Sequence, residues 1–214
     1  MYKQQPFLLD LLHICEFIAM ITGIIQLKSL KNSYWKWFVY YLIYIFIYEI
    51  LSEIAKFGFD LKVGTYLSYI QIPIEFIFLY WLYALKSLKN KVMFWTFSLL
   101  NIGSLLLEYN LSQTEFTFKS LNNTFGTLLL LILVVLEFSK QIKSDSILNF
   151  KQDKMFYINI GVILFYIGNM PFFGWYIPIL KFPDIWNGYY IYFLISNCIM
   201  YLLFASSFIW GKST

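Results

Sequence analysis

Long apolar runs, separated by short polar stretches, cover most of the chain. They lie near residues 7–27, 36–55, 65–85, 92–109, 121–139, 155–170 and 187–209. Most approach or reach the roughly 20 apolar residues that an α-helix needs to cross the hydrocarbon core of a bilayer. A barrel strand needs only about 9–11 residues and alternates between apolar and polar positions, which these runs do not. The pattern therefore predicts seven membrane-spanning helices.

Composition agrees with this prediction. Hydrophobic residues make up 60% of the 214 positions and charged residues 13%, whereas soluble domains have about 45–50% and about 25%. We expect an all-α protein with a single integral membrane domain over residues 1–214. The longest inner loop, near 140–154, is too short for a catalytic or nucleic-acid-binding module. Its lysines are expected to contact lipid headgroups, so the bilayer is a partner and nucleic acid is not.

The distribution of lysine predicts the orientation. All 16 basic residues are lysines, and with the N-terminus outside, eleven of them fall in inner segments and five in outer segments. Short loops with more Lys and Arg remain on the cytoplasmic side. The chain is therefore expected to lie in a plasma (inner) membrane, N-terminus outside and C-terminus cytoplasmic. An AT-rich bacterial genome would explain the lysine bias.

A hexamer occurs twice, as LKSLKN from Leu27 and again from Leu85. Both copies are expected to form inner turns, between helices 1 and 2 and between helices 3 and 4. One interpretation is a duplicated two-helix unit, since Glu16 and Glu75 lie at matching positions before the two copies. The other is convergence of short lysine-rich turns.

Acidic residues inside the spans are the strongest chemical signal. Seven of the twelve lie there, mostly between the outer surface and mid-membrane. A charge at the bilayer centre costs about 2.5–3.5 kcal/mol or more, so such residues usually face a bundle interior or water. Glu137 lies near the inner end, where Lys140 at i+3 can pair with it, and is interpreted as an interface residue.

Polar stripes at helical spacing gather the remaining groups on one face of each helix. On helix 1, Ala19 and Gly23 extend the polar face as a small-residue packing surface. Helix 5 reads LLLLILVVL through its middle and is expected to face lipid. Helices 1–4, 6 and 7 are then expected to surround a cavity open to the outside. Its candidate ligand-binding residues are Asp10, His13, Glu16, Glu49, Gln71, Glu75, Asn101, Glu108, Asn169 and Asn197.

These residues also have structural interpretations. Asn and Ser stripes often join membrane helices by hydrogen bonds alone, and Glu108 can be a solvated helix end. For Glu16 and Glu75 we expect one shared pocket, with at least one carboxyl protonated at pH 7 because no lysine lies deep in a span.

Cys15 and Cys198 are expected to be packing residues. The proline- and aromatic-rich segment 170–187 is interpreted either as a flap over the outer mouth or as an aromatic belt.

Known seven-helix classes do not fit these residues. The last span lacks the lysine that carries retinal in rhodopsins, and the only histidine is too few for a ceramidase-like zinc hydrolase. The Gln and Pro of QIPIE, residues 71–75, are not arranged as in sugar-transporting PQ-loop proteins.

Three functions remain open. The favoured one is a sensory or accessory module whose outer acidic pocket binds a small ligand or cation and which signals through a membrane partner protein. A proton- or cation-coupled carrier and a lipid-acting enzyme are the alternatives; the metal ligands of such an enzyme are unknown. No cofactor is expected.

Overall fold

The computed structural model describes residues 5–58, 61–111, 121–143 and 150–211, and helices dominate all four ranges. The helix bounds are α1 Pro6–Gln26, α2 Trp35–Gly58, α3 Leu61–Tyr80, α4 Lys91–Leu111, α5 Leu121–Lys143, α6 Lys154–Val162, α7 Met170–Gly174, α8 Tyr176–Leu180 and α9 Pro183–Trp210. Two helices continue as π-helix: α3 through Trp81–Ser87 and α6 through Ile163–Ile167. The all-α prediction is confirmed.

Six helices in the described ranges are long and apolar enough to cross a membrane. They are Pro6–Gln26, Trp35–Ala55, Lys91–Asn110, Leu121–Lys143, Lys154–Gly174 and Pro183–Trp210. These six support a multi-pass membrane protein and agree with six of the seven predicted spans to within a few residues. The other predicted span, 65–85, lies in α3 and its π-helical continuation. The count of seven and the orientation stay predictions.

Burial along α4 is the reverse of that in a soluble helix. Leu99 is 66% exposed, and Leu106 and Leu107 are each 59% exposed, while Asn101 and Glu108 are buried. Large apolar residues on the outside are stable in contact with lipid, and polar residues in a bilayer turn toward other helices. The same face of α4 that the sequence marked as polar is therefore the buried one.

The chain divides into two compact units. Unit 1 comprises residues 1–51, 142–169 and 182–214, and unit 2 comprises residues 52–141 and 170–181. In unit 1, α9 packs against both α1 and α6. Ala19 is fully buried and Gly23 is buried, as the small-residue stripe on α1 predicts. A Cβ on Gly23 would lie 3.2 Å from Val39 Cγ1, so the small residue permits a close approach of α2.

Lys154 also belongs to the interior of unit 1. Its side chain is 4% exposed, and Nζ donates hydrogen bonds to the carbonyl oxygens of Ser207 (3.2 Å) and Gly211. A cation among the last carbonyls of α9 satisfies acceptors that the helix end leaves open. The expectation that Lys154 contacts lipid headgroups is wrong, because the C-terminus of α9 offers it better acceptors.

In unit 2, α3 packs against α4, and α5 contributes one buried face. That face contains Asn122, Gly126, Thr127, Leu129, Leu130, Leu133, Val134 and Glu137. Leu128, Ile132 and Val135 on the opposite face are exposed. The expectation that α5 simply faces lipid is therefore wrong for half of its surface. The long leucine run dominates the hydropathy of α5, so the sequence does not reveal that the polar residues on either side of this run belong to a buried face.

The segment after α6 forms two short helices, α7 and α8, and α9 begins at Pro183. Pro171, Pro178 and Pro183 account for these breaks, because proline removes a helix hydrogen bond and clashes with the preceding turn. Phe172 and Ile179 are buried, whereas Trp175 is 66% exposed. Within unit 2, a Cβ on Gly174 would lie 3.6 Å from Thr124 of α5, so α7 packs near the start of that helix. Whether the segment covers a cavity mouth stays a prediction.

Candidate functional site

A buried polar cluster joins α4 to the N-terminal end of α5 in unit 2. The Asn122 side-chain amide donates to the Asn101 carbonyl oxygen and to Ser104 Oγ, each at 2.8 Å. The Asn122 backbone N–H donates to Glu108 Oε2 at 2.7 Å. Asn101 is fully buried, and the other three residues are 3–5% exposed. The structure thus brings together two residues predicted from the sequence, Asn101 and Glu108, and links them through Asn122.

Helical spacing explains the cluster on the α4 side. Asn101, Ser104 and Glu108 recur at i, i+3 and i+7, so they share one face. On the α5 side, Asn122 is the second residue of the helix, where backbone N–H groups have no intrahelical acceptor. The Glu108 carboxylate supplies that acceptor, and its negative charge is favourable at a helix N-terminus.

Several buried polar atoms of unit 2 lack a hydrogen-bond partner within the described ranges. They are both side-chain atoms of Asn101, the side-chain oxygens of Asn122 and Gln71, and the hydroxyls of Thr124 and Thr127. Leaving a buried polar group unsatisfied costs about 1–3 kcal/mol. Five of these six atoms can accept a hydrogen bond and three can donate one. Asn122 also binds the Glu108 carboxylate. This carboxylate and the amide oxygens of Asn101 and Asn122 suit a cation or a cationic hydrogen-bond donor.

The cluster borders a tightly packed wall. Gly126 faces Phe76 and Asn101: a Cβ there would lie 2.6 Å from the Phe76 ring and 2.9 Å from Asn101 Nδ2. Beside it, the Tyr80 hydroxyl donates to the Gly126 carbonyl oxygen at 2.9 Å. Only glycine allows this approach, so Gly126 fixes how far α5 lies from Asn101.

Two further predicted residues lie on α3 in the same unit. Gln71 is 7% exposed, and Glu75 is half-buried. They share the polar face that the sequence indicates, one turn apart along the helix.

On α1 in unit 1, the three predicted polar residues differ in how far they are buried. Asp10 is exposed, His13 is half-buried and Glu16 is 3% exposed. His13 Nδ1 lies 3.4 Å from Glu16 Oε2, an ion pair when the imidazole is protonated. The structure therefore joins His13 to Glu16 and leaves Asp10 at the surface. Glu49, on α2 of the same unit, is half-buried.

Asn169 and Asn197 are also buried in unit 1. The Asn169 amide donates to Ser196 Oγ at 2.8 Å and to the Phe165 carbonyl at 2.7 Å. These bonds tie the end of the α6 π-segment to α9, as expected of asparagine that joins membrane helices. Ser196 is the partner that the sequence did not indicate.

Unit 1 also contains an open cavity of about 350 Å³. Gly168, Asp184, Gly188 and Tyr192 are among its lining residues. The Tyr192 hydroxyl donates to the Leu164 carbonyl at 2.9 Å across Gly168. Of the lining residues, none was among the candidates from the sequence.

The two cysteines are neighbours rather than isolated residues. Cys15 on α1 and Cys198 on α9 are 4% and 5% exposed, and their thiols share a hydrogen bond. Both lie near the Glu16 carboxylate. Their burial agrees with a packing role, since buried cysteine behaves as a small hydrophobic residue.

Asn122 is the main residue of the cluster that sequence reasoning missed. The sequence feature that could have indicated it is the pair Asn122 and Asn123 at the start of a helix with an apolar centre; residues 121–126 read LNNTFG. Asn at a helix N-terminus ordinarily suggests local capping. Its role across helices follows only from the tertiary packing.

Within the described ranges, no group of three or more His, Cys, Asp or Glu side chains is arranged to hold a metal ion. No protein family model matches the chain, and no curated protein or solved structure shows significant similarity to it.

Proposed function

We propose that this chain is a sensory or accessory module of a bacterial plasma membrane, and that its outer acidic pocket binds a small cation or cationic ligand. The observation that carries the proposal is the buried cluster of Asn101, Glu108 and Asn122. It combines a carboxylate with side-chain oxygens that have no hydrogen-bond partner among the described residues.

Sidedness is part of the proposal. The lysine distribution favours seven spans with the N-terminus outside. The helix formed by α3 and its π-helical continuation supports the seventh span, because Leu61–Ser87 is long enough to cross a bilayer. In that orientation α4 ends and α5 begins on the outer side, so the cluster is reached from outside.

Reporter fusions test the orientation. Fusions after Lys31, Lys89, Lys143 and Thr214 are expected to be cytoplasmic, and fusions after Lys62, Lys119 and Lys181 external. An external reporter at Thr214 would contradict both the count of seven spans and the outer position of the cluster.

The cluster has a purely structural alternative, in which Glu108 does no more than cap α5. Thermal unfolding in detergent separates the two interpretations when it is measured against increasing sodium, potassium, magnesium and calcium. We expect at least one cation to raise the midpoint of the wild type, since a ligand that binds only the folded state stabilises it. Glu108→Gln should lose that rise.

Glu53→Gln is the matched control, because Glu53 is half-buried in the same unit. It should keep the cation response. Equal cation responses in the wild type and in Glu108→Gln would mean that Glu108 caps α5 and does not bind the cation. The same titration of Glu16→Gln and Glu75→Gln tests the shared pocket expected for those two glutamates.

A membrane signalling partner completes the proposed function. The described parts of the chain are nearly all helix within or next to the predicted spans. A signal from the cluster would therefore pass through helix contacts to another protein. Co-purification of a membrane protein in a cation-dependent amount would support this step.

A further inference from the structure

The open cavity of unit 1 lies beside the first turns of α9. It measures about 350 Å³ and is lined by Gly168, Asp184, Ile185, Gly188, Tyr189 and Tyr192. All of these residues except Gly168 belong to α9, and Gly168 directly follows the π-helical end of α6. Sites for small molecules measure about 300–1,000 Å³, so the cavity has room for a small polar group.

One hydrogen bond holds the tyrosine wall of the cavity in place. The Tyr192 hydroxyl donates to the Leu164 carbonyl oxygen at 2.9 Å. A Cβ on Gly168 would overlap this hydroxyl, so glycine is the residue that lets the tyrosine reach the end of α6. The ring is therefore fixed before a ligand arrives, which lowers the entropic cost of binding.

The lining combines one carboxylate with two aromatic rings. Asp184 is exposed in the first turn of α9, and the rings of Tyr189 and Tyr192 line the same cavity. Among the described residues that line it, none is basic. A carboxylate beside aromatic rings is the chemistry that binds an ammonium group, through charge and through cation–π contact.

The position of the cavity along α9 is that of lipid headgroups. The helix has 28 residues, which at 1.5 Å per residue is about 42 Å. A bilayer is about 40–45 Å thick with its headgroup regions, and its hydrocarbon core is about 30 Å thick. When α9 crosses the bilayer, Asp184 in its first turn therefore lies among headgroups, and Tyr192 lies near the start of the acyl chains.

An exposed apolar face of α9 continues from the cavity. Ile195, Ile199 and Leu202 are 43%, 39% and 43% exposed. They follow Tyr192 at i+3, i+7 and i+10, which places them on its side of the helix. The rise from Tyr192 to Leu202 is about 15 Å, half of the roughly 30 Å core. This face therefore has the length and the polarity to contact the acyl chain of one lipid.

The N-terminus of α9 suits the phosphate of the same lipid. The N-cap residue is Phe182, whose side chain cannot accept a hydrogen bond from the first backbone N–H groups. Free N–H groups at a helix N-terminus favour a phosphate. Lys181, just before Phe182, is exposed and adds positive charge. A headgroup with both a phosphate and an ammonium therefore meets complementary groups at the start of this helix.

We propose that unit 1 binds a phospholipid with an ammonium headgroup, such as phosphatidylethanolamine. The ammonium lies against Asp184 and the tyrosine rings of the cavity, the phosphate at the N-terminus of α9, and one acyl chain along the exposed face. The inference concerns unit 1 alone, so it does not depend on cation binding at the cluster in unit 2 or on the orientation of the chain.

Native mass spectrometry of the protein in detergent, titrated with phosphatidylethanolamine or with phosphatidylglycerol, tests the site. Both lipids have a phosphate and acyl chains, but only the first has an ammonium. We expect the apparent Kd of the wild type for phosphatidylethanolamine to be at least about fivefold lower than for phosphatidylglycerol. Asp184→Asn should lose this preference, because it removes the negative charge at nearly constant shape.

Gly188→Leu blocks the cavity by volume rather than by charge. A Cβ on Gly188 meets no atom within 4 Å, so the leucine side chain has room to enter the cavity. Replacing a glycine inside a helix should not destabilise the helix. This variant should also lose the preference. Gly103→Leu is the matched control, since a Cβ there also meets no atom within 4 Å and Gly103 belongs to unit 2. It should keep the preference of the wild type.

Equal Kd values of the wild type for the two lipids would overturn the site, as would a preference that persists in both Asp184→Asn and Gly188→Leu. Free phosphoethanolamine at the concentration of the lipid should not displace it, because it lacks acyl chains. Displacement would assign the cavity to a soluble amine and overturn the lipid site. Glu108→Gln should keep the lipid preference, so the lipid site and the proposed cation site can fail separately.

Discussion

The two copies of LKSLKN have the same six residues and different structures. In the first copy, residues 27–32, the chain leaves α1 through consecutive hydrogen-bonded turns, and Ser29 is exposed. Its hydroxyl bonds locally to the Gln26 carbonyl at 2.7 Å. In the second copy, residues 85–90, Ser87 is 8% exposed and binds Glu137 and Lys140 of α5.

The ends of the two copies differ as well. Lys89 adopts a left-handed conformation (φ 56°), which is the only positive φ among the described non-glycine residues. The following Asn90 N–H bonds to the Ala84 carbonyl at 2.8 Å, so the helix ends in a Schellman-like turn. Asn90 Oδ1 then accepts from the Met93 N–H at 3.0 Å and caps α4. In the first copy Ser33 accepts from the Trp35 N–H instead, at 3.4 Å.

The difference shows what a short sequence determines by itself. Lys, Ser, Lys and Asn in this order specify a polar connection between two apolar helices, and both copies form one. The neighbouring helices determine the rest: in unit 2 the Ser87 hydroxyl donates to the buried Glu137 carboxylate on α5. Whether the copies descend from a duplicated unit stays a prediction.

The serine gives the largest expected contrast between the copies. Ser87→Ala should lower the free energy of unfolding by about 2 kcal/mol, since it removes a hydrogen bond to a buried charged group. Ser29→Ala should change it by less than about 0.5 kcal/mol, as exposed substitutions usually do. Denaturant unfolding of both variants in the same detergent measures the difference. Equal losses would mean that the Ser87–Glu137 contact contributes nothing specific.

The asparagine gives a smaller contrast. Asn90→Ala should cost about 1 kcal/mol because it removes the N-cap of α4. Asn32→Ala should be nearly neutral, because Asn32 is exposed and Ser33 serves the start of α2. Thermal unfolding midpoints are sufficient here. A larger loss for Asn32→Ala would show that the first copy has the capping role assigned to the second.

The second lysine of each copy gives the smallest effect, with opposite signs. Lys89→Gly should raise stability by about 0.5 kcal/mol, because a left-handed conformation is costly for lysine and free of strain for glycine. Lys31→Gly should lower stability slightly, since it adds flexibility where φ is negative. The pair is best compared by denaturant midpoints. Stabilisation by Lys31→Gly would contradict the assigned turn geometry.

Much of the fold could be predicted from the sequence. Runs of apolar residues determine where the helices lie, because the thickness of a bilayer sets a minimum length. The i, i+3, i+7 spacing of Asn101, Ser104 and Glu108 likewise predicts one polar face on α4, and that face is buried.

The partners of that face could not be predicted. Asn122 and Thr127 lie on an α5 whose leucine run dominates its hydropathy, so the sequence indicated a lipid-facing helix. The burial of Lys154 could not be predicted for a similar reason. Its acceptors are backbone carbonyl oxygens at the end of α9, and every residue type has a backbone carbonyl. Contacts of this kind depend on which helices pack together, and the sequence pattern of one helix does not contain that information.

Cation binding at the Asn101–Glu108–Asn122 cluster is the central claim, and crystals soaked in a thallium(I) salt test it most directly. Thallium(I) substitutes for a monovalent cation and is located by its anomalous scattering. We predict an anomalous peak within about 3 Å of the Glu108 carboxylate and of the side-chain oxygens of Asn101 or Asn122, at the distances of coordinated oxygen ligands. A map with no peak there, and with direct hydrogen bonds between protein groups satisfying all of these oxygens, would contradict the claim.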